Sequence, residues 1–261
     1  MSLLALNPKL PDWPDCKIWI IGASSGIGAA VARHLLKAGA TVAISARNAE
    51  ALATTADGHP HAKSVPLDVT DTKAFRAAWK RLRKGWGRVD LVLFVAGIYQ
   101  PTRAWELGPE NVDRILDTNL GAIMRGCGVI VPDMIRVEGG AIGLVSSVAA
   151  YGGMANCITY GPSKAGLSNF AEAMYIDLHD KNIGVYLISP GFVRTAGTTV
   201  NKFYMPALME PEAAAKAMVK GMEKGEFDIN FPKRFTNSMK ALNALPYHLY
   251  FPAVMKATSK L

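Results

Sequence analysis

The chain has 261 residues and a mass of 28.0 kDa, which is long enough for one large α/β domain and short for two. Hydrophobic residues make up 50% of the chain and charged residues 19%. This composition excludes a disordered chain, and no apolar run approaches the ~18 residues needed to span a membrane. We therefore expect one soluble domain.

The cysteines and the first residues bear on the cellular compartment. Cys16, Cys127 and Cys157 are odd in number and lack the spacing of metal ligands, so we expect neither a disulfide framework nor a metal site. The segment before Lys17 has no basic stretch ahead of its short apolar patch, unlike a secretory signal. A cytoplasmic location fits these features best.

The net charge of +8 is concentrated in two places. A predicted helix near residues 72–84 is rich in lysine and arginine; we favour a solvated helix face there and expect no nucleic-acid partner. From 229 to 261 no residue is acidic, and basic residues alternate with aromatic and aliphatic ones. This C-terminal extension is consistent with peripheral contact at an anionic membrane surface. We favour the alternative that it packs over a substrate cleft or a partner subunit.

Short β-rich runs alternate with helical periodicity along almost the whole chain, which is typical of βαβ units. This alternation predicts a doubly wound, mostly parallel sheet of about seven strands, the Rossmann type of α/β fold. Thr159 is a candidate N-cap for one of the helices. The predicted strands are 17–21, 41–45, 63–67, 89–95, 141–146, 185–188 and, more weakly, 227–230. The predicted helices are 27–38, 72–84, 110–131, 160–179 and 212–224.

A glycine-rich turn follows the first predicted strand and opens the first predicted helix. Glycines there allow a tight turn and a close approach to a pyrophosphate, and the helix N-terminus favours negative charge. A purely structural turn is the alternative. The residues of this predicted dinucleotide site are Gly22, Ser24, Ser25, Gly26, Ile27 and Gly28.

The ends of the second and third strands bear on the choice of cofactor. The second strand ends in Ser45, Ala46 and Arg47, without the carboxylate that would bind the ribose hydroxyls of NAD. Because a guanidinium binds phosphate well, Arg47 favours NADP(H), unless it is a solvated loop residue. Asp68 and Val69 close the third strand, where the carboxylate is placed to bond an adenine amino group or to form a turn.

Over about residues 17–224 the chain resembles the short-chain dehydrogenase/reductase family. Two departures occur, with Ile21 in place of the usual Thr and Phe94-Val95-Ala96-Gly97 in place of Asn-Asn-Ala-Gly. We expect apolar packing to replace polar contacts between those strand ends. The residues that match family motifs are Gly22, Gly26, Gly28, Asp68, Asn119, Ser147, Tyr160, Lys164, Pro190 and Gly191. The resemblance implies further cofactor contacts at Ala96, Gly97, Tyr160, Lys164, Pro190, Gly191 and Val193.

Tyr160 and Lys164 lie four residues apart and therefore on one face of a predicted helix. A phenol with a pKa near 10 is a weak base at neutral pH. We expect the Lys164 ammonium to lower the pKa of Tyr160 by ~2 to 3 units. The pair indicates proton transfer at a carbonyl or alcohol oxygen, with nicotinamide as the hydride carrier.

Two further residues complete the predicted catalytic set. Ser147 ends a strand at the carboxyl edge of the sheet, where it would hydrogen-bond the substrate oxygen, although Ser146 is an alternative. The resemblance implies that Lys164 also holds the nicotinamide ribose, and that Asn119 anchors a water beside it. Asn119 alternatively satisfies buried backbone groups.

These features predict an NADP(H)-dependent oxidoreductase acting on a hydrophobic carbonyl or secondary alcohol; a non-catalytic NADP-binding sensor or regulatory protein is the alternative. A lipid-like ketone is the sharper hypothesis, because the YGPSK motif and the C-terminal extension resemble reductases of oxo-lipids. The family resemblance implies a lid at about 192–210 and a homodimer or homotetramer formed through 110–131 and 160–179. Ordinary packing of the lid is the alternative to a substrate pocket. The predicted apolar pocket consists of Phe192, Phe203, Tyr204, Met205, Leu208 and Met209 in the lid and Ile98, Tyr99, Val148 and Met154 opposite.

Overall fold

A seven-stranded parallel sheet forms the centre of the computed structural model, which describes residues 5–199 and 204–258. The strands are β1 (Lys17–Ile21), β2 (Thr41–Ser45), β3 (Ala62–Ser64), β4 (Leu91–Phe94), β5 (Gly140–Val145), β6 (Ile183–Pro190) and β7 (Asp228–Phe231). Their order across the sheet is β3-β2-β1-β4-β5-β6-β7, and each neighbouring pair is parallel. The chain changes direction between β1 and β4, which confirms the doubly wound Rossmann-type prediction.

Helices cover both faces of the sheet. They are α1 (Gly26–Lys37), α2 (Ala49–Ala56), α3 (Thr72–Trp86), α4 (Pro109–Leu116), α5 (Ala122–Arg136), α6 (Tyr160–Leu178), α7 (Pro211–Glu223), α8 (Lys233–Asn243) and α9 (Tyr247–Thr258). A π-helical segment, Asp117–Gly121, joins α4 to α5. The sequence predicted one helix across 110–131 and did not predict α2, α8 or α9.

The capping role predicted for Thr159 is wrong. Thr159 has helical backbone angles and its side chain makes no cap hydrogen bond. Its buried hydroxyl has no hydrogen-bond partner within the described part of the chain. The helix therefore continues smoothly from the preceding turn, and Pro162 lies in the first turn, where a missing N–H costs little.

Two apolar layers hold the helices on the sheet. One layer packs α1 and α7 against residues such as Ile20 and Ile188, and the other packs α3, α5 and α6 around Trp19. Trp19 is fully buried, contacts Phe75 with ring centroids 4.9 Å apart, and donates from Nε1 to Ser45 Oγ at 2.8 Å. These layers leave the carboxyl ends of the strands uncovered by the core, and the site forms there.

The surface of α3 carries most of the basic cluster. Phe75, Ala78, Trp79 and Leu82 face the core, whereas the lysines and arginines between them are largely exposed. This is the solvated helix face that the sequence favours. No helix within residues 5–199 and 204–258 is both long and apolar enough to cross a bilayer.

Candidate active site

The glycine turn between β1 and α1 is built from backbone atoms in close contact. Gly22 has φ +97° and Gly26 has φ +55°, conformations that residues with a Cβ rarely adopt. A Cβ on Gly22 would lie 2.3 Å from Ala96 N, and one on Gly28 would lie 2.0 Å from Gly22 O. Only glycine fits at these two positions, and the first amides of α1 lack intrahelical partners. The turn is therefore a cradle for an anionic group.

Backbone hydrogen bonds and apolar packing join the ends of β1 and β4. Val95 N and Ala96 N both donate to Ile21 O at 2.8 Å. Ile21 and Phe94 are buried in the same apolar layer, and the Phe94 ring stacks on Phe75 with centroids 6.0 Å apart. Apolar packing thus occupies the junction where the family usually has polar side chains, as the sequence predicts.

A cavity of about 1210 Å³ opens at the carboxyl edge of the sheet. Its lining includes every predicted cofactor and catalytic residue except Asn119. These lining residues are Gly22, Ser24, Ser25, Gly26, Ile27, Gly28, Arg47, Asp68, Val69, Ala96, Gly97, Ser147, Tyr160, Lys164, Pro190, Gly191 and Val193.

Arg47 and Asp68 lie at the end of the cavity beyond β2 and β3. Arg47 is exposed, and its side chain makes no hydrogen bond or ion pair with any residue in 5–199 or 204–258. Asp68 Oδ1 accepts hydrogen bonds from Thr70 N at 2.9 Å and Thr70 Oγ1 at 2.7 Å. These bonds lower the pKa of Asp68, with a smaller contribution from the Arg47 charge. A carboxylate and a guanidinium therefore border the same end of the cleft.

Lys164 is buried and forms part of the cavity floor. Its Nζ donates to Val145 O at 2.8 Å, and a Cβ on Gly97 would lie only 3.2 Å from that nitrogen. Burial lowers the pKa of Lys164 to about 8. The side chain is therefore still mainly cationic at neutral pH, although the protein interior disfavours the charge.

The predicted effect of Lys164 on Tyr160 is wrong for this structure. Burial raises the pKa of Tyr160 to about 12, and a hydrogen bond with Ser147 opposes that rise only in part. The Lys164 Nζ lies 5.9 Å from the centroid of the Tyr160 ring. Desolvation of the phenolate thus dominates the pKa of Tyr160, and the phenol is neutral at physiological pH.

The two adjacent serines have different surroundings. Ser146 is buried, where its Oγ donates to Lys164 O at 2.9 Å and lies 2.8 Å from Ser168 Oγ. Ser147 Oγ accepts from Ala149 N at 3.1 Å and lies beside Tyr160. Both serines line the cavity, and the Ser147 hydroxyl is the one that lies beside the Tyr160 phenol.

Asn119 lies close to Lys164, because the position of a Cβ on Gly97 is 3.2 Å from Lys164 Nζ and 3.4 Å from Asn119 Oδ1. It is fully buried in the π-helical segment and does not line the cavity. Its Oδ1 accepts from Ile98 N at 2.8 Å, and its Nδ2 donates to Ile98 O at 2.9 Å and to Ser163 Oγ at 3.1 Å. The side chain satisfies buried backbone groups, which is the alternative interpretation, and it positions the loop after β4 against α6.

Both walls of the predicted apolar pocket are present in part. Ile98, Tyr99, Val148 and Met154 line the cavity, as do Phe192 and Tyr204 from the lid. Met205, Leu208 and Met209 do not line it, and Phe203 lies outside the described residues. Met209 instead packs on the core, because Val193 and Met209 form a short parallel bridge that draws this end of the lid inward.

Sequence reasoning missed the residues with which the C-terminal helices line the cavity. These are Phe235, Met239 and Leu242 of α8 and Val254, Lys256, Ala257 and Thr258 of α9. Tyr250 fastens α9 to the far wall, since its hydroxyl donates to Gly153 O at 2.8 Å. The C-terminal extension therefore packs over the cleft, as favoured from the sequence. Helical spacing of the apolar residues was the available signal.

The fold and the cleft together define a class of protein, an α/β oxidoreductase that binds a nicotinamide dinucleotide. A family model described as short chain dehydrogenase matches residues 17–203. The chain belongs to the short-chain dehydrogenase/reductase family.

Known relatives agree with this assignment. An uncharacterized oxidoreductase of Myxococcus xanthus is 33% identical over 241 residues, covering 91% of this chain and 95% of the relative. Carbonyl reductase family member 4 of Xenopus laevis is 29% identical over 210 residues, covering 77% of this chain and 88% of the relative. The solved structure of a short-chain dehydrogenase from Sphingobium yanoikuyae in complex with NADPH has a TM-score of 0.76 and 24% identity, covering 87% of this chain and 93% of that chain.

Proposed function

We propose that the chain is an NADP(H)-dependent oxidoreductase that interconverts a hydrophobic, lipid-like ketone and its secondary alcohol. The observation that carries this proposal is that three of the predicted catalytic residues and the glycine turn line one cavity. Ser147, Tyr160 and Lys164 border the same cavity as the glycine cradle, so one ligand-filled cleft would bring a dinucleotide and a proton donor together.

The cradle fits a dinucleotide phosphate, because Gly22 and Gly28 leave no space for a Cβ and the first amides of α1 are available. Arg47, exposed at the end of β2 with no carboxylate beside it on that strand, favours NADP(H) over NAD(H). The NADPH in the Sphingobium yanoikuyae structure supports the same choice. The residues that would hold the cofactor are those of the turn with Arg47, Asp68, Val69, Ala96, Gly97, Tyr160, Lys164, Pro190, Gly191 and Val193.

When bound, nicotinamide supplies or accepts the hydride. Tyr160 Oη holds the proton that a developing alkoxide needs, because its raised pKa keeps the phenol neutral at pH 7. Ser147 Oγ, next to that phenol, orients the carbonyl oxygen toward it. The Lys164 ammonium, held by its hydrogen bond to Val145 O, places a positive charge near Tyr160.

Apolar side chains line much of the cavity, one of them directly beside Tyr160. The Tyr99 ring packs edge-on against Tyr160 with centroids 4.9 Å apart, and Phe235 and Met239 line the wall supplied by α8. Such a pocket suits a hydrophobic substrate with few charges. The similarity to carbonyl reductase family member 4 supports a carbonyl as the reacting group.

We also propose that the protein is a cytoplasmic homodimer or homotetramer that associates through α5 and α6. Met124, Ile135 and Ile176 are exposed apolar side chains on these two helices. Exposed apolar residues on neighbouring helices are common at subunit interfaces.

Replacing Tyr160 with Phe tests the catalytic assignment. Tyr160→Phe should retain NADPH binding, measured by cofactor fluorescence, and lower kcat by about 10³-fold or more, because general acid catalysis is lost. The assay follows NADPH oxidation with ketones of graded chain length and ring content, with NADH as the comparison cofactor.

Tyr175→Phe is the matched control. It removes a hydroxyl from the same helix, one that donates to Leu6 O at 3.0 Å outside the cavity, and should leave kcat unchanged. Equal turnover by Tyr160→Phe and the native chain would refute the assignment. NADPH binding without turnover of any ketone by the native chain would instead favour the sensor interpretation.

A further inference from the structure

The last helix carries a row of exposed apolar side chains beside the cavity. Tyr247, Phe251 and Met255 follow one another at four-residue spacing on α9, with 74%, 51% and 61% of their surface exposed. Residues at this spacing share one helix face. The Tyr247 and Phe251 rings stack with centroids 5.2 Å apart. We call these three residues the α9 stripe.

The α9 stripe lies next to a second row that holds the helix in place. Tyr250 and Val254 are buried, and Tyr250 donates to Gly153 O. Val254, Ala257 and Thr258 line the cavity, whereas the three residues of the stripe do not. One side of α9 thus lines the cavity, and the adjacent side carries the exposed α9 stripe. Both sides are largely apolar.

The charged side chains of α8 and α9 bear on which partner can cover the α9 stripe. Between 229 and 258 no residue is acidic, whereas Lys233, Arg234, Lys240 and Lys256 are basic. Lys240 pairs with Asp228 and Lys233 with Glu226, and both of these carboxylates precede α8, so every charged side chain on α8 and α9 themselves is basic. A second copy docked α9 against α9 about a two-fold axis would bring basic residues together with no carboxylate between 229 and 258 to compensate.

We propose that the α9 stripe docks the protein on an anionic lipid bilayer, next to the mouth of its own substrate cavity. Aromatic side chains with a polar tip, such as Tyr247, are favoured at the headgroup level, and Met255 and Phe251 enter the acyl boundary. Basic residues on α8 and α9 face the negative surface potential. A hydrophobic ketone then passes from the bilayer to the cavity along α9; this route rests on the proposed function, whereas the docking itself does not.

The test is cosedimentation of the full chain with vesicles of phosphatidylcholine alone or mixed with phosphatidylserine. The native chain should bind the mixed vesicles, and added salt should weaken that binding. Tyr247→Asp with Met255→Asp should lower binding by about tenfold or more, because two apolar anchors become charges of the same sign as the lipid. Phe251 is kept because its ring also packs on Tyr250.

Leu6→Asp is the control. Leu6 is 54% exposed, and its backbone N–H bonds Gly225 O next to the start of β7, at the sheet edge away from the cavity. This variant should bind vesicles like the native chain. Tyr247→Ser with Met255→Ser provides a second pair without added charge, and circular dichroism checks the helix content of each variant.

Three results would overturn the docking proposal. The first is absence of vesicle binding by the native chain, and the second is equal binding by the Asp pair. The third is a lower sedimentation coefficient for the Asp pair than for the native chain without vesicles, which would show that the stripe is buried between copies. Turnover of a water-soluble ketone should be the same in the Asp pair and the native chain, whereas turnover of a ketone embedded in mixed vesicles should fall. Vesicle binding without any ketone turnover would count against the proposed function alone.

Discussion

The two ends of the cavity are constructed in different ways. At the glycine turn, backbone touches backbone, so that a single added methyl group would overlap Ala96 N or Gly22 O. At the C-terminal helices, side chains form the wall. A Cβ on Gly153, whose carbonyl receives Tyr250, would meet nothing within 4 Å.

This difference explains why the glycine turn has a recognisable sequence motif and the wall formed by the C-terminal helices has none. A backbone cradle is specified by which residues lack a side chain, so few sequences satisfy it. A side-chain wall is specified by volume and hydrophobicity, which many sequences satisfy. The cofactor end can therefore be recognised in a sequence more readily than the substrate end.

The largest effect should follow from an alanine in the cradle. Gly28→Ala should lower the free energy of unfolding by about 3 kcal/mol, because overpacking against Gly22 O forces the turn apart. It should also weaken NADPH binding by at least about 100-fold. Denaturant unfolding and fluorescence titration measure the two effects.

Gly153→Ala adds the same methyl group beside the wall that α9 forms, at the residue whose carbonyl accepts from Tyr250. It should change the free energy of unfolding by less than about 0.5 kcal/mol and leave NADPH binding intact. Similar losses in the two glycine variants would show that the two ends do not differ in tolerance.

A smaller change is expected at Arg47, a side chain at the cofactor end. Arg47→Glu should reduce the preference for NADPH over NADH by about 10- to 100-fold, because a carboxylate repels the 2′-phosphate. The ratio of kcat/KM for the two cofactors measures it. Arg81→Glu makes the same charge change on the exposed face of α3 and should leave the ratio unaltered. An unaltered ratio in both variants would mean that Arg47 is only a solvated loop residue.

The smallest effect is expected from Tyr250, which joins α9 to the far wall of the substrate end. Tyr250→Phe removes one hydrogen bond to Gly153 O, worth about 1 kcal/mol. The KM for ketone should rise about two- to fivefold while NADPH binding is unchanged. Tyr175→Phe, which also loses a tyrosine-to-carbonyl bond, should leave the KM unchanged. A change in NADPH binding in Tyr250→Phe would show that the two ends are coupled.

Much of the sheet and of the cofactor end could be predicted from the sequence. The bounds of β1 and β2 agree with the predicted runs because both are short, apolar and followed by turn residues. Helix α2 was missed because its run of alanine and threonine has weak periodicity; Asn48 begins it by accepting from Ala51 N at 3.0 Å. Helix α9 was missed because Pro246 and Pro252 suggest a broken chain.

The electrostatics of the site could not be predicted from spacing. The four-residue interval between Tyr160 and Lys164 correctly indicates a shared helix face. It does not show how deeply each group is buried, and burial decides the direction of both pKa changes. Nor does it show that Lys164 bonds Val145 O, a partner 19 residues away on β5.

The π-helical segment before α5 sets the direction in which the side chains of α5 leave the helix axis. Each residue of an α-helix turns by about 100°, so the wider π turn between Asp117 and Gly121 shifts the angle at which later side chains leave the axis. Asn119 lies within that turn and holds both backbone groups of Ile98. A uniform α-helix across the same residues would point that amide elsewhere, and the loop that borders the cleft would lose its hold. One wide turn after α4 thus orients the Asn119 amide toward the loop that borders the cleft.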